Sequence, residues 1–380
     1  MAGWRQSLAD GAPGAALPLI ERARAGGVGW EPAHQLVRAM VSEPVQAHPD
    51  VAGLFYGAPA VAYVLHAAGH PGYRTALATL DRAVTTLIHA RLDAAHRRID
   101  QGLPPSAREY DLIGGLTGLG VYLMRRGRDP DLLRQVLAYL VRLTQPVRVG
   151  GQEVPGWWAS GSPDVRQLPR WADGHAGFGM AHGVTGPLAL LSVTMRGGVV
   201  VDGQTEAILT ICGWLDRWRT GHGRNAWWPE AISGEELRAG VCTATGPRRP
   251  SWCYGTPGIT RALQLAAIAV GDSGRARSAQ EAFLGCLADE QQLSQLAEVG
   301  LCHGWAGLAQ TARRMASDSG TVELSDAARD MIGRLGHRLG GHGAPADGFL
   351  DGAVGAELVA EATATTPGGH TTWDGCLLLI

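Results

Sequence analysis

Ala181-His-Gly-Val-Thr-Gly186, Cys253-Tyr-Gly-Thr-Pro-Gly258 and Cys302-His-Gly-Trp-Ala-Gly307 share one form: a small-x-x-small core that opens an apolar run. The runs behind the first two, Leu188–Leu191 and Leu263–Val270, show the type. Three further segments repeat the form, Phe55-Tyr-Gly-Ala-Pro-Ala60, Ile113-Gly-Gly-Leu-Thr-Gly118 and Leu350-Asp-Gly-Ala-Val-Gly355. The equivalent glycines, Gly57, Gly115, Gly183, Gly255, Gly304 and Gly352, stand 58, 68, 72, 49 and 48 residues apart. Two helices and their connections fit inside the shorter steps, and the longer steps carry insertions. Glycines three apart lie on one helical face and allow close backbone approach, or free the turn that opens a helix. Between repeats, Asp131–Leu143 and Ala327–Leu339 mix apolar and Arg positions at helical spacing, as amphipathic outer helices over apolar inner ones would.

Repeated helical hairpins form either an open solenoid or a closed ring. Polar residues stand at equivalent points in every repeat, which favours closure. In a ring the helix starts would meet at one end and collect residues from distant positions into one site. Long insertions are expected near 144–177 and 221–251, the first holding Trp157, Trp158 and Trp171, the second Trp227 and Trp228. These tryptophans either plug gaps between helix ends or rim a groove for an extended peptide.

Composition bounds the rest. The 380 residues include 54 glycines, about twice the usual ~7% share. The apolar fraction is 45%, enough for a real core, and the glycines follow no three-residue period. Disorder and collagen are excluded. A net charge of −2 offers no footprint for nucleic acid. All 33 basic residues of the Lys and Arg class are arginine, which reads as a GC-rich genome of bacterial type. Six cysteines are too sparse for a disulfide framework, and no signal peptide is apparent over Met1–Leu8, so a cytoplasmic protein with reduced thiols is expected. The most apolar stretch, Val51–Ala68, is interrupted by Gly53, Gly57 and Pro59 and reads as a buried helix, not a membrane span.

Chemistry should sit where the repeats differ, just before each glycine pair. Repeat two offers Tyr110 and Asp111, repeat three His182, repeat four Trp252, Cys253 and Tyr254, repeat five Cys302 and His303, and repeat six Asp351. Two cysteines and a histidine suit a zinc site with an open fourth position, although buried or incidental cysteines would also explain them. Adjacent Cys302 and His303 diverge by ~100° within a helix but can face one ion at a loop-to-helix junction. His182 beside such a metal becomes a candidate acid or base, and Asp111 could orient it. His175 stands close enough to the third repeat to line the same cavity. Cys212, Cys242, Cys286 and Cys376 lack such a frame and read as ordinary thiols.

These motifs resemble the three signature motifs of the lanthionine synthetase C-like family: Gly179–Gly186, Ser251–Gly258 and Leu301–Gly307. Tyr110–Gly118, Pro155–Trp158, Gly348–Gly355 and Trp373–Leu379 match its style, so the likeness spans residues 50 to 380. The resemblance implies an all-α fold, an α/α toroid of seven inner and seven outer helices formed by a single domain over 1–380. It implies Zn2+ held by Cys253, Cys302 and His303. It further implies His182 as acid/base, Asp111 beside it, and Arg249, four residues before the first zinc cysteine, as part of the site. Tyr254, Trp252 and His175 are the expected substrate-binding neighbours. The implied activity is that of a lanthipeptide cyclase: a lanthionine synthetase joining cysteine thiols of a precursor peptide to dehydroalanine or dehydrobutyrine. With no kinase or dehydratase domain recognisable, a standalone class I-type enzyme with a separate dehydratase partner is expected. Alternatives are addition of glutathione to dehydroamino acids, and a non-catalytic scaffold that binds the precursor. Two departures stand out. The first repeat has Ala60 for the second glycine, and only six clear motifs are found for seven hairpins.

Overall fold

The repeated glycines are where helices begin. The computed structural model describes residues 4–163, 168–341, 347–362 and 373–380. Part of the first insertion, 164–167, therefore lies outside the described residues. In chain order the helices are α1 (Ala12–Arg24), α2 (Glu31–Met40), α3 (Ala58–Ala68), α4 (Arg74–Asp100), α5 (Ala107–Tyr110), α6 (Leu116–Arg126) and α7 (Pro130–Arg142). They continue as α8 (Thr185–Arg196), α9 (Gln204–Arg217), α10 (Gly234–Ala239), α11 (Thr256–Val270), α12 (Ser273–Ala288) and α13 (Glu290–Leu293). The last are α14 (Trp305–Ser319), α15 (Val322–Gly341) and α16 (Ala353–Glu361). Four short strands, β1 (Val147–Val149), β2 (Gln152–Val154), β3 (His175–Gly177) and β4 (Ala231–Ser233), lie in the insertions.

Gly57, Gly115, Gly255, Gly304 and Gly352 are the N-caps of α3, α6, α11, α14 and α16, and Gly183 precedes Val184, the N-cap of α8. At Gly186, Gly258, Gly307 and Gly355 the second glycine of the pair is needed for close approach. A Cβ on Gly258 would collide with the carbonyl oxygen of Trp252, six residues back, and one on Gly307 with that of Leu301. The same contact, at the same offset, joins Gly14 to the Leu8 carbonyl. Gly11 caps α1, and its amide bonds to the Ser7 oxygen at 2.9 Å as the Gly255 amide does to Ser251 at 3.0 Å. Gly11-Ala-Pro-Gly14 is thus the seventh helix-opening motif, missed in the sequence although it parallels Gly255-Thr-Pro-Gly258.

Helices behind these turns are buried almost throughout their first turns, whereas those that follow bury one face. In α11 every residue from Thr256 to Ala267 is buried, while the following α12 buries only Ala279, Ala282, Phe283, Cys286 and Leu287. Each of Ile259, Leu263 and Leu265 contributes about 1.5–3 kcal/mol by leaving water. The segment read as an amphipathic outer helix at 131–143 is most of α7, which buries Leu132, Leu133, Val136, Leu137, Tyr139 and Leu140. Val51–Ala68 contains α3, only 11 residues long. Among the described residues, no helix is long and apolar enough to cross a membrane.

Contacts group the chain into two units, Met1–Ala90 with Leu296–Ile380, and Arg91–Gln295. In the first, α1 packs on α2, α3 and α16, and α14 on α15 and α16. In the second, α8 packs against α6, α9 and α11, and α11 against α12. The two insertions meet within this second unit. Strands β3 and β4 pair antiparallel, His175 opposite Ser233 and Gly177 opposite Ala231, while β1 and β2 form a hairpin.

Candidate metal and acid–base site

Backbone hydrogen bonds stitch one helix-opening turn to the next and so set the register of their side chains. In the second unit the Leu112 amide donates to the Ala181 carbonyl at 3.0 Å, and the Ala181 amide to the Cys253 carbonyl at 3.2 Å. In the first unit the Cys302 amide donates to Leu350 at 2.8 Å, Leu350 to Ala9 at 2.9 Å, and Leu8 to Phe55 at 2.8 Å. Residues just before the capping glycines are therefore held in line, whatever their sequence separation.

Within the second unit this brings Asp111, His182, Cys253 and Tyr254 together. Asp111 is buried, and its Oδ1 accepts from the amides of Gly114 and Gly115 at 2.7 and 2.8 Å, closing the turn before α6. Its Oδ2 takes the His182 Nδ1 at 2.6 Å. Burial pulls the His182 pKa down, but the hydrogen bond and charge of Asp111, helped by Cys253, outweigh it and leave it raised. With Nδ1 engaged, Nε2 is the nitrogen free for proton transfer. The Tyr254 ring lies over His182, centroids 6.0 Å apart and planes tilted by 32°. Cys253 is buried, its Sγ 3.6 Å from the Ser251 hydroxyl, which also accepts from the amides of Tyr254 and Gly255.

Within the first unit, Cys302 and His303 form the turn before α14 and are both partly exposed. The His303 Nε2 lies 2.9 Å from Glu298 Oε2, and its Nδ1 lies 3.6 Å from Asp351 Oδ1.

A cavity of about 380 Å³ opens beside this site in the second unit, lined among others by Arg170, Trp171, Trp227, Glu230, Arg248 and Tyr254. The expected substrate neighbours divide here. Tyr254 lines the cavity, whereas Trp252 is fully buried and His175 is buried with Nδ1 3.0 Å from the Gly161 carbonyl oxygen. Burial lowers the His175 pKa against the opposing effect of that hydrogen bond. Of the tryptophans, Trp157, Trp158 and Trp228 plug the core, Trp171 does so while touching the cavity, and Trp227 is half-buried at its wall.

Arg249 is half-buried at the edge of the same region. Its charge acts with those of Arg248 and Arg170 on Glu230, a carboxylate that sequence reasoning did not single out. Desolvation in the concave surroundings raises the Glu230 pKa, Arg248 opposes it, Cys253 reinforces it, and Arg249 and Arg170 oppose it further. No residue pattern marks Glu230 in the sequence. The remaining cysteines form no disulfide among the described residues: Cys212, Cys286 and Cys376 are buried and Cys242 is half-buried. Burial pushes the Cys212 thiol up to about 11, which keeps it protonated and inert.

The family model of lanthionine synthetase C-like proteins matches residues 3–360, and the chain belongs to that family. It is similar to the nisin biosynthesis protein NisC of Lactococcus lactis subsp. lactis, 21% identical over 319 residues, 81% of this chain and 72% of that protein. Among solved structures it is similar to nisin cyclase, with a TM-score of 0.85 at 20% identity over 99% of this chain and 92% of that one. The shared fold is the α/α toroid expected from the sequence.

Proposed function

We propose that this protein is a zinc-dependent lanthipeptide cyclase working as one domain, the family model running through both units in support. The observation that carries the reading is the donor set. Cys253 stands in the turn before α11, Cys302 and His303 in the turn before α14, at matching positions just ahead of the capping Gly255 and Gly304, and each side chain can offer one ligand atom. Two thiols and one imidazole fit zinc, and three protein ligands leave a fourth position for a substrate, as catalytic zinc sites do. The named relatives, a nisin biosynthesis protein and a nisin cyclase, support the substrate class.

Zinc held there would supply Lewis acidity, lowering the pKa of a peptide thiol from its ordinary ~8.5. The reaction joins the cysteine sulfur to the β-carbon of a dehydroalanine or dehydrobutyrine. The π pair of the Cα–Cβ double bond moves toward the carbonyl as an enolate. His182, its Nδ1 tied to Asp111, delivers a proton from Nε2 to the α-carbon. The Arg249 guanidinium offsets the negative charge that builds on the enolate oxygen. The proton lost by the thiol replaces the one spent by His182, so the product has the mass of the substrate. Tyr254, over the His182 ring and at the cavity wall, guides the peptide from the cavity to these groups. The dehydro residues must come from a separate dehydrating activity acting on serine and threonine of the precursor, in the cytoplasm.

Incubation with a dehydrated precursor should remove free thiols at constant peptide mass. Purified protein should carry about one zinc per chain and Cys302→Ala should lose it. Full zinc retention in that variant, or normal cyclisation by His182→Ala, would refute the corresponding assignment.

A further inference from the structure

We infer that the cavity of the second unit is a subsite for an acidic side chain of the substrate peptide, with Arg170 and Arg248 reading its carboxylate. The inference rests on the cyclase reading above, which supplies the peptide. The two insertions build the cavity, the first contributing Arg170 and Trp171, the second Trp227, Glu230 and Arg248. Its volume of about 380 Å³ falls within the range of ligand sites, and its aromatic walls are of the kind that hold a ligand's apolar parts. Tyr254 lines the cavity and also lies over the His182 ring, so a peptide in the cavity passes beside the acid–base pair. The subsite therefore takes a residue near the reacting ones, not the reacting atoms themselves.

The charged groups around the cavity differ in the bonds they still have to offer. Glu236 is engaged on both oxygens: Oε1 accepts from the Thr243 amide and hydroxyl, and Oε2 from those of Ser233. Arg170 rests over the Trp171 ring, 4.2 Å from its centroid, a contact that orients the guanidinium and uses none of its N–H donors. Among the described residues neither Arg170 nor Arg248 has a hydrogen bond or an ion pair. Glu230 feels the charges of Arg248, Arg249 and Arg170 but pairs with none of them. Two guanidiniums thus stand at one cavity with their forked donors unused, and a carboxylate is the acceptor that this fork matches. The chain also fixes where Arg248 stands. It lies in Gly246-Pro-Arg-Arg-Pro250, where prolines restrict the backbone on both sides of the arginine pair. Arg248 lines the cavity and Arg249 does not, so the pair divides between the subsite and the enolate role given to Arg249. Arg170 and Arg248 are both exposed, so their replacement leaves no buried hole.

The test uses the full chain and synthetic peptides blocked at both ends, so that a side chain supplies their sole carboxylate. Each carries one cysteine, one dehydroalanine and a single aspartate moved through the flanking positions, and each is matched by its asparagine counterpart. Binding is read by fluorescence anisotropy on labelled versions with serine for cysteine, which cannot cyclise, and ring closure by loss of thiol. At one position aspartate should bind about tenfold more tightly than asparagine, and added salt should shrink the difference. Arg170→Gln and Arg248→Gln should each reduce that preference, and the double variant should abolish it, with melting temperatures unchanged. Arg248→Lys, which keeps the charge without the fork, should retain part of it. Glu230→Gln removes a competing anion and should enlarge it. No aspartate preference at any position, or one that survives in the double variant, would overturn the inference. So would a Glu230→Gln protein whose preference is unchanged or smaller. A preference that disappears with the arginines, in a protein that closes no ring in any of these peptides, would sustain the subsite and overturn the cyclase reading.

Discussion

Asp111 does two jobs with one carboxylate. Oδ1 closes the turn before α6 by accepting two backbone amides, and Oδ2 holds the imidazole of His182. Asp111→Asn can keep the first and cannot keep the second. Its amide nitrogen at the Oδ2 position would face the His182 Nδ1–H as a second donor, forcing the tautomer that places the proton on Nε2 without a carboxylate behind it. The cyclisation kcat should fall about 100- to 10 000-fold, with zinc content and KM little changed. Asp111→Ala should add a stability loss of about 0.5–2 kcal/mol from the lost cap, seen in urea unfolding. Equal kcat in wild type and Asp111→Asn would refute the orienting role. Asp111, His182, Cys253, Cys302 and His303 could be singled out in the sequence as candidates because each stands within a few residues of a repeated glycine. Glu230 could not be: its place in the cavity wall beside Arg248 and Arg170 comes from the fold, and an isolated glutamate in a polar loop carries no signal of its own.

At the scale of the element, the seven helix-opening turns use glycine for space more than for unusual backbone angles. Gly14 and Gly213 separate the two effects. A Cβ at Gly14 would run into the Leu8 carbonyl and lie 2.7 Å from the Phe349 Cβ, whereas at Gly213, within α9, it would meet nothing. Gly14→Ala should therefore destabilise by about 1–3 kcal/mol, and Gly213→Ala should stabilise by about 0.4–1 kcal/mol. Thermal melts of the two variants should shift in opposite directions, and a neutral Gly14→Ala would remove α1 from the set of equivalent repeats. The pairing of β3 with β4 was not legible, since three-residue strands are too short to show a period. What holds that pairing to α10 is a capping box, with Ser233 and Glu236 each satisfying the other's backbone. The Glu236 carboxylate also accepts from the Thr243 amide at 2.8 Å and hydroxyl at 2.5 Å, tying the next loop down. Burial alone would raise its pKa, but the hydrogen bonds from Ser233 and Thr243 more than compensate and hold it below the ordinary value. Because the folded pKa is the lower one, this contribution is present above the unfolded value of ~4.3 and is lost as pH falls through the folded value. Glu236→Gln should cost about 2 kcal/mol near neutral pH and progressively less in acid, as read from unfolding curves at a series of pH values. A pH-independent difference would refute it.

At the scale of the whole molecule, the ends of the chain are joined inside one unit. The amides of Phe349 and Leu350 both bond to the Ala9 carbonyl, and α1 packs on α16. The final residues are then fastened at three points. The Tyr63 hydroxyl donates to the Trp373 carbonyl at 3.1 Å and accepts from the Cys376 amide at 3.0 Å. Asp374, with no exposed surface, receives Nε and Nη2 of Arg314 at 2.7 and 2.6 Å, and Gln310 besides. The Trp373 ring meets Phe349 edge-on. The ion pair is unequal in its access to water, which makes the two halves of a mutant cycle unequal. The Arg314 side chain keeps 18% of its surface, so in Asp374→Ala the guanidinium can turn outward and be solvated. In Arg314→Ala the carboxylate stays sealed, with Gln310 as its remaining side-chain donor from this network. Arg314→Ala should therefore cost about 3–5 kcal/mol, the larger loss, and Asp374→Ala about 1–3 kcal/mol. The double variant should lose less than the two singles added, because removing Arg314 costs little once no buried charge remains to be stranded. Denaturant midpoints of the four proteins decide it: equal losses, or losses that simply add, would show that the C-terminal segment is held by its apolar contacts and its bonds to Tyr63 without help from the charge pair.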